Sequence, residues 1–126
     1  MNENGFEIIS VYTRAQAIED GVLLDVTSTA KETGIRFPVA VTAGLWNKYI
    51  VPSGILRDEG QSIQGRLWDV LWMFRNAASH CTNSLMFFKV LFLMENDVME
   101  EVKLKSICGP GDTWDPVITI MLPEED

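Results

Sequence analysis

One predicted helix in the second half of the chain carries five side chains whose types and spacing could do chemistry. Trp68, Trp72 and Arg75 recur at i, i+4 and i+7, which places them side by side on a helix, while Arg66 and Asp69 stand close enough for an ion pair. Tryptophan and arginine are enriched among residues that anchor protein interfaces, and such a face can also stack a planar ligand. The alternative is structural, with tryptophans at the rim of the core and charges that pair at the surface.

A second polar group lies near the N-terminus, between two apolar stretches. It contains Tyr12, Arg14 and Asp20, and an Arg–carboxylate pair within it would act as a geometric clamp. If the fold brings these residues together with Arg66 and Asp69, they would form a concave pocket for a small ligand or a substrate. Otherwise Arg14 pairs with a local acid beside a capped helix. The spacing alone does not decide between these two interpretations.

The remaining reactive residue types form no recognised motif. His80 is the single histidine and has only Cys81 beside it, without a second ligand pair at metal spacing. A nucleophilic Cys–His pair would also need an orienting acid, and none is identifiable. The glycine-rich segment 109–112 lacks the Lys and Ser/Thr of a phosphate-binding loop. We therefore expect no metal, no cofactor and no catalytic residue, and we favour a non-enzymatic protein over an enzyme.

The elements that must position these groups are clearest in the second half of the chain. Apolar residues recur at spacings of three and four over 62–79, which predicts one long amphipathic helix. Three later stretches are typical of strands. Segment 85–94 is apolar almost throughout and should have both faces covered, and segment 116–122 is again apolar. Segment 98–107 alternates between apolar and charged residues at its centre. With a tight turn at Asn96-Asp97, the pattern predicts an antiparallel meander packed against the helix.

The first half predicts short strands and helices that complete the other layer. The expected elements are a strand over 6–12, a helix that Thr13 caps and Gly21 ends, a strand over 22–26, a helix from 27 or 28 to Gly34, a strand or helix approach over 39–41, and a helix capped by Thr42 that runs to about Ile50. Segment 51–61 is rich in loop-forming residues and is the best candidate for a mobile loop. The predicted class is α+β, in a single globular domain over residues 1–126.

The charge of the chain is concentrated at its end. The net charge is −8, and residues 95–126 carry nine Asp and Glu against two Lys, which accounts for −7 of it. Direct nucleic-acid binding is disfavoured because phosphate contacts depend on clustered Lys and Arg. The acidic end is either a solubilising surface or a face for a basic partner, including a mimic of nucleic acid.

The compartment follows from what the sequence lacks. No apolar run approaches the roughly 20 residues that span a bilayer, and the N-terminus is polar and acidic instead of resembling a secretory signal. The two cysteines do not resemble a disulfide framework. We expect a cytoplasmic protein without a membrane partner.

Several stretches of the sequence together are distinctive: Tyr12–Val26, Phe37–Thr42, Gly65–Met73, Gly109–Asp112 and Pro116–Pro123. In these stretches the chain resembles an uncharacterised family of small bacterial proteins that are often encoded on plasmids, phages and other mobile elements. The resemblance covers nearly the whole chain and implies a mobile-element context and a cytoplasmic location. It implies no reaction, so no catalytic residue can be transferred.

These observations favour a non-enzymatic mobile-element accessory protein that binds a host or element-encoded protein. Inhibition of a defence nuclease is one concrete form of this function. The contact surface would be the aromatic and arginine side of the long helix, the acidic end, or both. Homodimerisation through the tryptophan stripe is compatible with this hypothesis and with the rival ligand pocket.

Overall fold

The computed structural model describes residues 12–125, which form a five-stranded sheet with helices packed on it. The helices are α1 Arg14–Glu19, α2 Thr27–Glu32, α3 Ala43–Leu45, which continues as the π-helical turn Trp46–Ile50, α4 Gly54–Asp58 and α5 Ile63–Ala78. The strands are β1 Leu23–Asp25, β2 Val39–Thr42, β3 Leu85–Leu93, β4 Met99–Pro110 and β5 Pro116–Met121. The expected strand over 6–12 lies outside the described residues except for Tyr12, which is not in a strand.

The predicted α+β class is confirmed, and the sheet is mixed. Its strand order is β1-β2-β5-β4-β3, and β3, β4 and β5 form the expected antiparallel meander. The sheet continues beyond the meander because β2 pairs in parallel with β5, with Val41 opposite Ile120, and β1 pairs antiparallel with β2. The prediction that the N-terminal elements complete the other layer is therefore wrong for the strands, since β1 and β2 extend the same sheet.

Helix α5 covers one face of the sheet with the predicted apolar stripe. Leu67, Val70, Leu71 and Phe74 are buried, and they share one core with alternate residues of β2, β3, β4 and β5. The ring of Phe74 meets that of Phe88 edge to face at 5.8 Å. Burial of this stripe supplies the main hydrophobic contact between the helix and the sheet. No helix in residues 12–125 is long and apolar enough to cross a membrane.

The short N-terminal elements form where local signals predict them. Thr13 accepts a hydrogen bond from the Gln16 amide and completes a capping box, which satisfies amides that the first turn of α1 leaves free. Gly21 and Gly34 have positive φ angles of 78° and 94° after α1 and α2. Thr42 caps α3 by accepting from the Leu45 amide.

Two expectations differ from the structure of residues 12–125. Segment 51–61 is not a loop throughout, because it contains α4, which Ser53 caps and which buries Leu56. Strand β3 alternates between buried and exposed residues, with Phe87 and Leu91 exposed, so only one of its faces is covered by residues 12–125. The mostly apolar sequence of β3 conceals this alternation. The turn from β3 to β4 includes Asn96 and Asp97, as predicted, but it is longer than a two-residue turn: residues 94–98 connect the strands, with a 3-10 turn over Glu95–Asp97.

Candidate functional site

The exposed side of α5 presents two tryptophans and an arginine as one surface. Trp68 and Trp72 are 36% and 42% exposed, and the Arg75 guanidinium lies 5.4 Å from the centre of a Trp72 ring. We call these three residues the aromatic–arginine face. The helix period places them on the flank next to the buried stripe, as the spacing of the sequence predicts. The face combines large apolar area with a charge held by a cation–π contact.

The helix that carries this face is firmly fixed at its start. Ser62 caps α5 by accepting from the Gly65 amide at 2.9 Å. Leu67 and Leu71 are buried on the sheet side, so the adjacent tryptophans cannot rotate into the core without breaking that packing. The two indole rings are therefore presented from a rigid element, which limits the entropy lost when a partner covers them.

A cavity of about 550 Å³ lies at the end of α5, next to Arg75. Four separate parts of the chain line it: the C-terminal half of α5, the segment 34–37, the turn 81–84, and the sheet. Arg36 and Arg75 are its two charged lining residues, so we call this space the Arg36–Arg75 cavity. Its size falls within the range of about 300–1,000 Å³ that small-molecule sites occupy.

The lining of this cavity is apolar inside and polar at the opening. Phe74, Met86 and Ile118 are buried among the residues that line it. Ser106 is also buried, and its hydroxyl donates a hydrogen bond to the Met86 carbonyl at 3.4 Å. The exposed lining residues are Gly34, Arg36, Phe37, Arg75, Thr82, Asn83 and Ser84. Both free cysteines, Cys81 and Cys108, line the cavity and are partly buried.

Arg66, a candidate from the sequence, is enclosed by the core and not presented to a ligand. It is 3% exposed, and its Nη1 donates to the Tyr49 carbonyl at 2.6 Å while Nη2 donates to the Leu93 carbonyl. Its guanidinium also lies 5.4 Å from the centre of the Phe92 ring. Burial lowers the pKa of Arg66, although the nearby Asp69 carboxylate opposes that change. These contacts give Arg66 a structural role that joins α5 to the π-helical turn and to β3.

Asp69 lies close to Arg66 but does not form an ion pair with it. Asp69 is exposed to solvent, and no Asp69 oxygen lies within 4.0 Å of an Arg66 nitrogen. Partial burial raises the pKa of the Asp69 carboxyl, while the Arg66 charge lowers it. The predicted ion pair is thus a longer-range attraction, because the Arg66 donors are taken by backbone carbonyls.

The N-terminal candidates form a second cluster on the other face of the sheet. Tyr12 donates from its hydroxyl to the Asp20 carboxylate at 2.8 Å, and this hydrogen bond raises the pKa of Tyr12. Arg14 donates to the Thr119 hydroxyl at 2.6 Å and to the Ile118 carbonyl at 2.8 Å. Burial lowers the pKa of Arg14. Thr119 alternates with the core-facing Ile118, so Arg14 and α1 lie on the face away from α5.

The expected pocket that joins both sets of residues is therefore not formed. Tyr12, Arg14 and Asp20 lie on one side of the sheet, whereas Arg66 and Asp69 belong to α5 on the other. The sheet itself separates the two clusters. A shallow cavity of about 560 Å³ does adjoin Tyr12 and Arg14, but it is lined by the β4–β5 end of the sheet.

Three of the described acids near the C-terminus, Glu100, Glu101 and Asp112, do not share one face. Glu100 accepts from the Tyr49 hydroxyl at 3.2 Å, and Glu101 lies 3.6 Å from the Lys89 ammonium. Asp112 accepts from the backbone amides of Arg14 and Ala15 at 2.7 and 2.9 Å. Glu100 and Glu101 lie near the start of β4 and Asp112 lies just past its end, so about 30 Å of strand separates them.

Three exposed features of the structure have no clear sequence signal. The Arg36–Arg75 cavity assembles from distant segments, so no spacing reveals it. Trp114 is 93% exposed in the turn between β4 and β5, where its acidic and glycine neighbours suggest only a loop. Phe37 is also exposed beside the cavity. Within residues 12–125, no three His, Cys, Asp or Glu side chains cluster where they could hold a metal ion.

The fold and site together define an α+β domain with a solvent-facing aromatic–arginine helix face and an adjoining cavity. The chain belongs to DUF6573, a family of unknown function, whose model matches residues 1–126. This match confirms the resemblance to an uncharacterised family. No curated protein and no solved structure matches the chain.

Proposed function

We propose that this protein is a non-enzymatic accessory protein of a mobile element and acts in the cytoplasm by binding another protein through the aromatic–arginine face. One observation carries the proposal: Trp68 and Trp72 are both more than a third exposed on one rigid helix, with Arg75 stacked against the second ring. Exposed apolar area of this kind is costly in water and is typical of interaction sites.

The composition of the face supports a protein partner. Tryptophan and arginine are the side chains most often found at the energetic centre of protein interfaces. Trp68 and Trp72 lie one helical turn apart, so a single groove or pocket on a partner can cover both. Trp114 is more exposed than either, but it stands alone in a turn, and we assign it no part in the main contact.

The partner is encoded by the host or by the mobile element, and inhibition of a defence nuclease is one form of the function. The positions of the acids favour contact through α5 over mimicry of nucleic acid. Glu100, Glu101 and Asp112 already bind groups of this chain, and they lie at the two ends of β4. We therefore expect partner binding to depend weakly on salt, because exposed charges are screened and buried aromatic contacts are not.

Affinity capture with matched tryptophan variants tests the proposal. The tagged wild-type protein, the double variant Trp68→Ala/Trp72→Ala and the single variant Trp114→Ala are each used with the same host lysate. We expect a stoichiometric partner with wild type and Trp114→Ala that is lost with the double variant. With the purified partner, the double variant should raise Kd at least tenfold, since truncation of one central tryptophan typically costs 2 kcal/mol or more.

Circular dichroism must show that the double variant is folded before its loss of binding is interpreted. Equal capture by all three proteins would refute the assignment of the face. Loss with Trp114→Ala alone would move the contact to the turn between β4 and β5. Release of the partner from all three proteins at moderate salt would favour a contact through the acidic residues instead.

A further inference from the structure

We propose that the Arg36–Arg75 cavity binds an apolar organic anion, specifically a carboxylate with a hydrocarbon or aromatic body. This site shares Arg75 with the aromatic–arginine face but does not involve Trp68 or Trp72, which do not line the cavity. Neither proposal requires the other to hold.

The charge at the cavity is opposite to that of the molecule as a whole. The chain has 18 Asp and Glu against 10 Lys and Arg, yet the cavity is lined by two arginines and no carboxylate. Arg36 of segment 34–37 and Arg75 of α5 are both exposed and both line the cavity, so an anionic group bound there meets positive charge from two segments. A guanidinium binds a carboxylate through two parallel hydrogen bonds, which gives this pairing geometric specificity.

The inner part of the cavity suits an apolar body. Phe74, Met86 and Ile118 are each buried at its floor, and Ile35 and Ala78 add further apolar surface. Removing a hydrocarbon or an aromatic ring from water into this space is favourable. A highly polar ligand such as a sugar would find few hydrogen-bond partners there.

Arg75 is held in position before any ligand arrives. The Arg75 guanidinium lies over the ring of Trp72, and Gly34 lies beside the Nε atom of the same side chain. A Cβ atom at position 34 would come within 2.9 Å of the Arg75 Nε, and the Gly34 φ of 94° also disfavours a side chain. This seat limits the conformations of Arg75 and reduces the entropy lost on binding an anion.

The two cysteines provide a local readout of occupancy. Cys81 and Cys108 line the cavity and are free thiols that are partly buried. A ligand that fills the cavity should shield both from a thiol reagent. This readout identifies the binding place, which a bulk affinity measurement does not.

The test uses decanoate as the probe and decanol as its neutral counterpart. Binding is measured by displacement of 8-anilinonaphthalene-1-sulfonate fluorescence, and thiol modification by 5,5′-dithiobis(2-nitrobenzoate) is followed in parallel. We expect decanoate to displace the dye at a concentration at least tenfold lower than decanol does. Saturating decanoate should slow the modification of Cys81 and Cys108 at least threefold.

Charge variants separate the anion site from simple hydrophobic binding. Arg36→Gln/Arg75→Gln should weaken decanoate binding at least tenfold and change decanol binding less than twofold. The matched control is Arg57→Gln, which removes an exposed arginine of α4 that does not line the cavity. Near-UV circular dichroism checks the fold, and Arg36→Gln alone replaces the double variant if the latter is unfolded.

Three results would each overturn the proposal. The first is equal displacement by decanoate and decanol, the second is unchanged decanoate affinity in the charge variants, and the third is thiol modification that decanoate does not slow. Failure of partner capture by the tryptophan face would leave these measurements unaffected, so the two proposals fail separately.

Discussion

Arg66 is a buried charge held mainly by carbonyl oxygens. Its side chain is 3% exposed and donates to the carbonyls of Tyr49 and Leu93. The Tyr49 carbonyl lies in the last turn of a helix, where unpaired carbonyls carry partial negative charge. The arginine thus satisfies buried acceptors from two elements at once, and the planar guanidinium can span both while a single ammonium cannot.

We predict that Arg66→Met lowers the free energy of unfolding by about 2 kcal/mol, because it leaves two buried carbonyls without a donor. Arg66→Lys should lower it by about 1 kcal/mol, since lysine can reach one carbonyl. Urea unfolding followed by circular dichroism measures both changes. Arg57→Met, which removes an exposed arginine, is the control and should stay within about 0.5 kcal/mol of wild type. If Arg66→Met were as mild as this control, the structural role would be wrong.

At the scale of elements, the π-helical turn Trp46–Ile50 connects helix α3 to the core. Tyr49 in this turn stacks its ring on Phe92 of β3 at 5.3 Å, and its hydroxyl donates to Glu100 of β4 at 3.2 Å. Burial raises the pKa of Tyr49, and the hydrogen bond to Glu100 raises it further. The folded state therefore binds the phenolic proton more tightly than the unfolded state does.

This shift gives a pH prediction with a definite sign. The contribution of Tyr49 to stability is complete below pH 10, the ordinary tyrosine value, and it is lost as the pH rises through the higher folded pKa. Wild type should therefore lose more stability than Tyr49→Phe between pH 8 and pH 10.5. Urea unfolding of both proteins at the two pH values measures the difference. A difference that does not change with pH would contradict the prediction.

Elements defined by nearby residues were predictable from the sequence, and those defined by distant partners were not. The capped start of α1 at Thr13 and the apolar stripe of α5 depend on residues three or four apart, so their spacing predicts them. The parallel pairing of β2 with β5 joins residues nearly eighty positions apart, as with Val39 and Ile118, and no local period encodes it. The helix in segment 51–61 is not predictable in this way, because the loop-like composition of the segment conceals the short α4 that buries Leu56.

In the candidate site, too, the features set by nearby residues were predictable and those set by distant residues were not. Trp68, Trp72 and Arg75 share a flank because the helix period sets their directions. The partners of Arg66 could not be predicted, because its spacing from Asp69 favoured an ion pair while the fold supplied carbonyls from other elements. The Arg36–Arg75 cavity needs four segments to meet, so it becomes visible only in three dimensions.

At the scale of the whole molecule, the sheet ends in an edge that residues 12–125 leave uncovered. Strand β3 is last in the strand order and is nine residues long. It exposes Leu85, Phe87 and Leu91 on the face away from α5, with Lys89 as the charged residue among them. Long apolar edges of this kind favour pairing between molecules unless charges interrupt them. Here the acidic net charge of −8 supplies general repulsion, which salt screens.

We predict that Leu91→Lys suppresses aggregation of the protein and leaves its stability within about 0.5 kcal/mol of wild type. Position 91 is 56% exposed, so the substitution removes little buried surface, and Glu101 lies directly opposite on β4 to pair with the new charge. Light scattering during incubation at high salt measures the effect, because salt removes the general repulsion and leaves the edge exposed. The control is Ile55→Lys, which replaces an equally exposed apolar residue on α4, away from the edge. If both variants reduced scattering equally, net charge and not the β3 edge would govern association.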